Sequence, residues 1–273
     1  MSGTAFICAT CGTQHAPSAA PPAACPICED PRQWVPAAGQ AWTMMEALAR
    51  RHAIGWREVA PGLLGLGVFP DFAIGQRALL IRTPAGNVLW DCVALLDPAT
   101  VTLVKALGGL TAIAISHPHF YTSMVDWAHA FDCPVLLHGD DRRWVMRPDP
   151  AIRFWEGETH EILPGITLHR LGGHFAGGTI LHRAEGAGAI LTGDIASVAP
   201  DRKHVSFMWS FPNWVPLPAA EVTRMGARLD ALAFDAIYGG WWDRVMATGG
   251  KAAVRASVER YVAAVAGPAP LAP

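Results

Sequence analysis

From about residue 60 onward the chain is a succession of short apolar runs broken by Gly, Pro, Asp and Asn. Val68-Phe69, Ala78 to Ile81, and Val88 to Trp90 after a turn at Gly86-Asn87 predict strands. A helical stretch, Val101 to Leu107, leads to the β-rich run Thr111 to Ile115. Thr122 or Ser123 caps a helix running to Phe131, and Pro134 to His138 predicts another strand. Further strands are expected over 166–171, 179–182 and 189–191. Pro218 to Leu232 predicts a helix opened by proline with Glu221 in its first turn, Ala236 to Tyr238 a late strand, and Lys251 to Ala264 a closing helix. This order suggests two sheets with helices on their outer faces. Upstream, Thr43-Met44-Met45-Glu46 has the form of a capping box starting a short helix to about Arg51.

Composition narrows the class. With 273 residues, 51% hydrophobic and 16% charged, the chain buries a sizeable core and is not disordered. A net charge of −2 gives no electrostatic reason to bind nucleic acid or an anionic membrane. No apolar stretch has the length of a membrane span and the N-terminus lacks a signal-peptide pattern, so the cytoplasm is the expected location. The 11 tryptophans suit core and interface packing.

Candidate chemistry sits where strands end. His117 and His119 follow the run ending at Ile115, His174 lies in the glycine-rich turn 172–178, and Asp194 closes the run 189–193. Neutral imidazole is a common zinc ligand, and these four side chains form a candidate metal site that does chemistry. The cysteines add a second site. Cys8-x-x-Cys11 and Cys25-x-x-Cys28 are paired knuckles in a chain without secretory features, which favours a tetrahedral thiolate metal site over disulfides. The Pro/Ala-rich stretch between them builds no core, so metal must hold that segment folded. Four thiolates suit zinc or iron. Cys92 and Cys133 read as small core residues.

His117-Pro118-His119, His174 in its glycine-rich turn, and Leu191-Thr192-Gly193-Asp194 resemble the metallo-β-lactamase fold superfamily over roughly 60–265. The resemblance implies an αβ/βα four-layer sandwich of two β-sheets flanked by helices. Its organisation would be a cysteine module over 1–40, a connecting helix and linker over 41–59, and the large domain over 60–273. It also implies that Asp91 supports the metal-bearing loop from behind the ligands. The module itself resembles rubredoxin-like and zinc-ribbon units, with Gly12 and Pro26 placed for their tight turns. The superfamily's first motif, His-x-His-x-Asp-His, ends here in Tyr121 and Thr122, and its late histidine is replaced by Tyr238-Gly239-Gly240-Trp241-Trp242. These departures imply one metal in the large domain rather than two.

The leading expectation is a metal-dependent hydrolase with one zinc on His117, His119 and His174, and a second zinc in the module. Asp194 either takes the fourth position or serves as general base. Tyr121 either donates to an oxyanion or fills vacated space. Substrates would be small esters, lactones or thioesters. The alternatives are an iron oxygenase with a His117/His174/Asp194 triad, iron being acceptable at either site, or a decayed, non-catalytic metal-binding module. His138 faces the cleft or is a hydrogen-bonded strand-end residue, Asp140 and Asp141 cap the segment after it, and Trp241 and Trp242 wall the pocket with Tyr238. Trp209 and Trp214 lie in a segment able to form a lid. The module docks within its own chain or on a second subunit, which leaves a homo-oligomer open.

Overall fold

A computed structural model describes residues 3–267, so the outermost ends of the expected module and large domain lie outside the described residues. The chain divides into two compact units between Glu156 and Gly157.

The first unit is built on a seven-stranded sheet whose spatial order equals its chain order: Ala53–Ala60, Leu63–Phe69, Arg77–Thr83, Gly86–Trp90, Ala112–Ala114, Val135–His138 and Ile152–Trp155. The first four strands pair antiparallel and the rest parallel. Helices Pro98–Ala106 and Met124–Phe131 lie in the first two crossovers that parallel neighbours require, and the 3-10 turn Gly139–Trp144 in the third. The first helix begins at Pro98 rather than Val101 because Asp97 caps it, accepting the Thr100 N–H at 2.7 Å. The second has Ser123 at its N-cap position, but the Ser123 hydroxyl donates to the Val93 carbonyl instead of capping.

Three local expectations are corrected. The helix Met45–Ala49 starts from Met44 with no side-chain cap, so Thr43 closes no capping box; Thr43 pairs with Ile7 in a short antiparallel ribbon. The end of the expected linker, from Ala53, belongs to an edge strand of the sheet, Ala53–Ala60. The hairpin turn falls on Pro84-Ala85, two residues before the expected position, with the Thr83 hydroxyl donating to the Gly86 carbonyl.

The second unit holds a six-stranded sheet in the order Thr159–Leu163, Ile166–Arg170, Thr179–Arg183, Ala189–Gly193, Ala236–Gly239 and Val245–Met246. Only the pair 189–193 with 236–239 is parallel, and helix Ala219–Asp230 makes its crossover. Ile180, Ile190, Phe207, Val222, Met225, Leu229 and Ile237 are wholly buried in one apolar cluster with Val254 of the closing helix Gly250–Ala266. Each unit thus carries a mixed sheet with flanking helices, the α/β class expected from the sequence.

Candidate metal centres

In the cysteine module all four thiols are buried, with 1% exposure or less. Cys8 Sγ lies 3.5 Å from Cys28 Sγ, Cys11 Sγ lies 3.7 Å from Cys25 Sγ, and all four sulfurs are within 4.8 Å of one another. A tetrahedron with metal–sulfur bonds of about 2.3 Å has edges of about 3.8 Å, so the donor set fits one tetrahedral ion. No disulfide forms. Hydrogen bonds among the sulfurs, that with Cys11 foremost, pull Cys25 far below the ordinary thiol range, while the contact with Cys25 pushes Cys11 well above it. A cation replacing these unevenly shared protons removes the conflict. Two N–H groups already point at Cys8 Sγ, the Gln40 amide at 3.0 Å and the Cys11 backbone at 3.5 Å, as thiolate ligation requires.

The histidine loop belongs to the same unit. Asp91, His117 and His138 follow or end three of the strands from 86 to 138, at their carboxyl ends, where α/β sheets collect ligands. His117 Nδ1 pairs with the Ser116 hydroxyl at 3.0 Å. His119 follows in the 3-10 turn Pro118–Phe120, which puts the two ring centroids 5.1 Å apart; both residues are buried. Asp91 is buried in the left-handed region at φ 61°, and its Oδ1 accepts the Ser116 N–H at 2.8 Å. Burial pushes the Asp91 carboxyl up to about 7.

His138 is a hydrogen-bonded strand-end residue: its Nδ1 accepts the Asp140 N–H at 3.2 Å and its ring stands edge-on to Trp155. His138 itself caps the turn Gly139–Trp144, with Asp140 and Asp141 in its first turn. Tyr121 is buried and lines a small crevice with Thr13, Gln14, Met124 and Arg147. Burial holds its phenol well above the ordinary range, so it keeps its proton. Burial also pushes the Cys92 and Cys133 thiols up to about 12, in keeping with core packing.

In the second unit, His174 sits in the turn 172–178, closed by the Leu171 and Gly172 N–H groups donating to the Gly178 carbonyl. His174 Nδ1 lies 2.8 Å from the Trp209 carbonyl and 3.2 Å from that of Met208. Both partners are acceptors, so Nδ1 carries the proton and Nε2 keeps the lone pair. These carbonyls belong to a hairpin, Met208–Ser210 with Val215–Pro216, that the sequence pattern missed; Trp214 stands at its tip with 82% exposure. Asp194 is buried just beyond its strand, and the Gly240 N–H donating to the Gly193 carbonyl sets Tyr238 to Trp242 alongside it. Tyr238 is buried, and Trp241 and Trp242 are half-buried. A Cβ at Gly239 would lie 3.0 Å from Arg244 Cβ and 3.1 Å from the Arg244 carbonyl, tight contacts that a side chain there could make only if Arg244 gave way slightly.

No family model matches the chain. It is 44% identical over 265 residues to the uncharacterized protein YmaE of Bacillus subtilis (strain 168), a match covering 95% of this chain and 96% of YmaE. The chain belongs to the YmaE family. Solved structures similar to this YmaE-family chain are metallo-β-lactamases. DIM-1 matches with a TM-score of 0.58 and 12% identity over 77% of this chain and 98% of its own. FIM-1 from Pseudomonas aeruginosa, in the mono-zinc form, matches with 0.56 and 12% over 77% and 96%. A B3 metallo-β-lactamase with an active-site glutamic acid matches with 0.52 and 18% over 85% and 94%. The metallo-β-lactamase fold expected from the sequence is therefore the fold of this YmaE-family chain. Among the described residues no helix is long and apolar enough to cross a membrane.

Proposed function

We propose that the chain is a metal-dependent hydrolase in which His117 and His119 from the first unit and His174 from the second hold one zinc ion. What supports this reading is the donor set itself, three buried imidazoles of the kind zinc takes, with the His174 tautomer set so that Nε2 keeps the lone pair. Three histidine ligands leave a fourth position open, the pattern of catalytic rather than structural zinc. FIM-1, a protein of this fold, has a mono-zinc form, and the tight surroundings of Gly239 disfavour a bulkier residue there.

A zinc ion in that position supplies Lewis acidity and lowers the pKa of water towards about 7. Asp194, buried just beyond its strand, serves as the general base, taking the proton of the attacking water and returning it to the leaving group. Asp91 holds the Ser116 backbone and so the start of the histidine loop. Tyr121 lies against the cysteine module's Thr13 and Gln14, which supports its packing role over donation to an oxyanion. Substrates are small esters, lactones or thioesters, in keeping with a chain of net charge −2. The module takes a second zinc on Cys8, Cys11, Cys25 and Cys28.

Metal content per chain tests this, on wild type and His117→Ala reconstituted with zinc alone. About two ions falling to about one, with loss of ester, lactone or thioester hydrolysis, supports it. A wild type holding only the cysteine-bound ion overturns it in favour of a decayed binding module. Full metal content with turnover undiminished in His117→Ala also overturns it.

A further inference from the structure

The cysteine module is seated on the loop that follows His117 and His119. Gln14, between the two knuckles, makes the connection. Its backbone N–H donates to the Thr122 carbonyl at 2.9 Å, and its side-chain Nε2 donates to Asp126 Oδ2 at 2.8 Å. Arg147 Nη1 closes the set, donating to both Gln14 Oε1 and Asp126 Oδ1. The Ala16 N–H adds a bond to the Met146 carbonyl at 3.0 Å. Gly12, at φ 80°, lets the knuckle come close: a Cβ there would lie 3.2 Å from Ala73 Cβ and 3.4 Å from Thr122 Cγ2.

Thr122 is the strained member. It is a buried β-branched residue at φ 38°, a backbone that such residues rarely adopt and that persists only where surroundings enforce it. It lies three residues after His119 and two before the helix Met124–Phe131, which carries Asp126. Gln14 grips the backbone of the first and the side chain of the second. The residues on both sides of the histidine turn are thereby fixed, Asp91 holding Ser116 before it and Gln14 holding Thr122 after it.

We infer that Gln14 is a positioning residue, through which the metal-ordered cysteine module sets the backbone presenting His117 and His119. The inference rests on the metal-site reading above.

The test uses the full chain loaded with Co(II). Sulfur-to-cobalt charge transfer in the near ultraviolet reports the cysteine site. The visible ligand-field bands of the second equivalent, titrated against a chelator, report affinity at the imidazole site. Gln14→Ala removes the side-chain contacts, and Gln14→Glu sets a carboxylate against Asp126. Both should keep the charge-transfer band and lose roughly 10-fold in affinity at the imidazole site, the lower end of what losing an outer-shell partner costs. Gln14→Glu with Asp126→Asn restores a donor facing an acceptor and should recover most of that loss, which general destabilisation would not do. Unchanged imidazole-site affinity in both single variants overturns the inference. If a single variant loses the charge-transfer band, the double variant decides: recovery of that band without the imidazole site also overturns it. A wild type with no second cobalt equivalent overturns the metal-site reading itself, a separate outcome.

Discussion

Asp91 and Ser116 are joined by a backbone-to-carboxylate hydrogen bond of 2.8 Å, and the Asp91 N–H in turn donates to the Ala114 carbonyl at 2.8 Å. One residue at the end of one parallel strand thus terminates its neighbour and starts the histidine loop. The carboxyl performs this task in a dry setting, which raises its pKa to about 7 from an ordinary value of 3.8.

The sign of that shift gives a pH prediction. A folded-state pKa above the unfolded one means that folding favours the protonated form. The contribution is complete below about pH 4 and is lost as pH rises through about 7. Asp91→Asn keeps an acceptor for Ser116 and tolerates the left-handed backbone but does not titrate. The stability of Asp91→Asn relative to wild type should therefore climb between pH 4 and 7 in denaturant titrations; a difference independent of pH would refute the account. Asp91→Ala leaves the buried Ser116 N–H without its acceptor and should cost about 1–3 kcal/mol throughout.

Gly239→His places a histidine within the segment 238–242 that replaces the superfamily's late histidine, yet it should not create a second zinc site. Its Cβ would press on Arg244, and where that neighbour does not give, overpacking costs about 1–3 kcal/mol. Metal analysis should show no added ion, and a rise by one equivalent would show that the space opens easily.

Removal of the module's metal should unfold the module first. Its apolar residues are few, and the stretch from His15 to Ala24 offers little to a core. In Cys28→Ser, limited proteolysis should cut between residues 15 and 40 before any site in the strands of the first sheet. Cleavage that begins elsewhere would show that the module's hydrogen bonds hold it without metal.

Trp214 sits at φ 61° with most of its ring in water. Trp214→Asn relieves a left-handed strain of about 1–2 kcal/mol at little loss of packing. Chemical denaturation should show stability unchanged or higher by up to about 1 kcal/mol. A clear loss would mean that the indole packs in solution.

The candidate site residues were legible because each closes an apolar run: His117 and His119 after Ile115, Asp194 after Leu191. Central strands such as Arg77–Thr83 are buried on both faces and announce themselves as continuous apolar stretches. Ala53–Ala60, Ile152–Trp155 and Thr159–Leu163 were missed or read as linker because they are edge strands. Ala53–Ala60 and Thr159–Leu163 are partly exposed on both faces, so neither shows a clear alternation. The hairpin that accepts from His174 was missed for a different reason. It acts through backbone carbonyls, which any residue supplies. The bond between Gln14 and Asp126 joins two ordinary polar residues 112 positions apart, a pairing no local pattern encodes.

That separation has a consequence for biosynthesis. The four cysteines and their ion can close a knuckle as soon as Cys28 leaves the ribosome, but Gln14 has nothing to grip until residues 122 to 147 follow. At about 5–20 residues per second the finished knuckle waits on the order of ten seconds. During that interval it is a tethered, metal-loaded head whose docking face is open to any chaperone or neighbouring nascent chain.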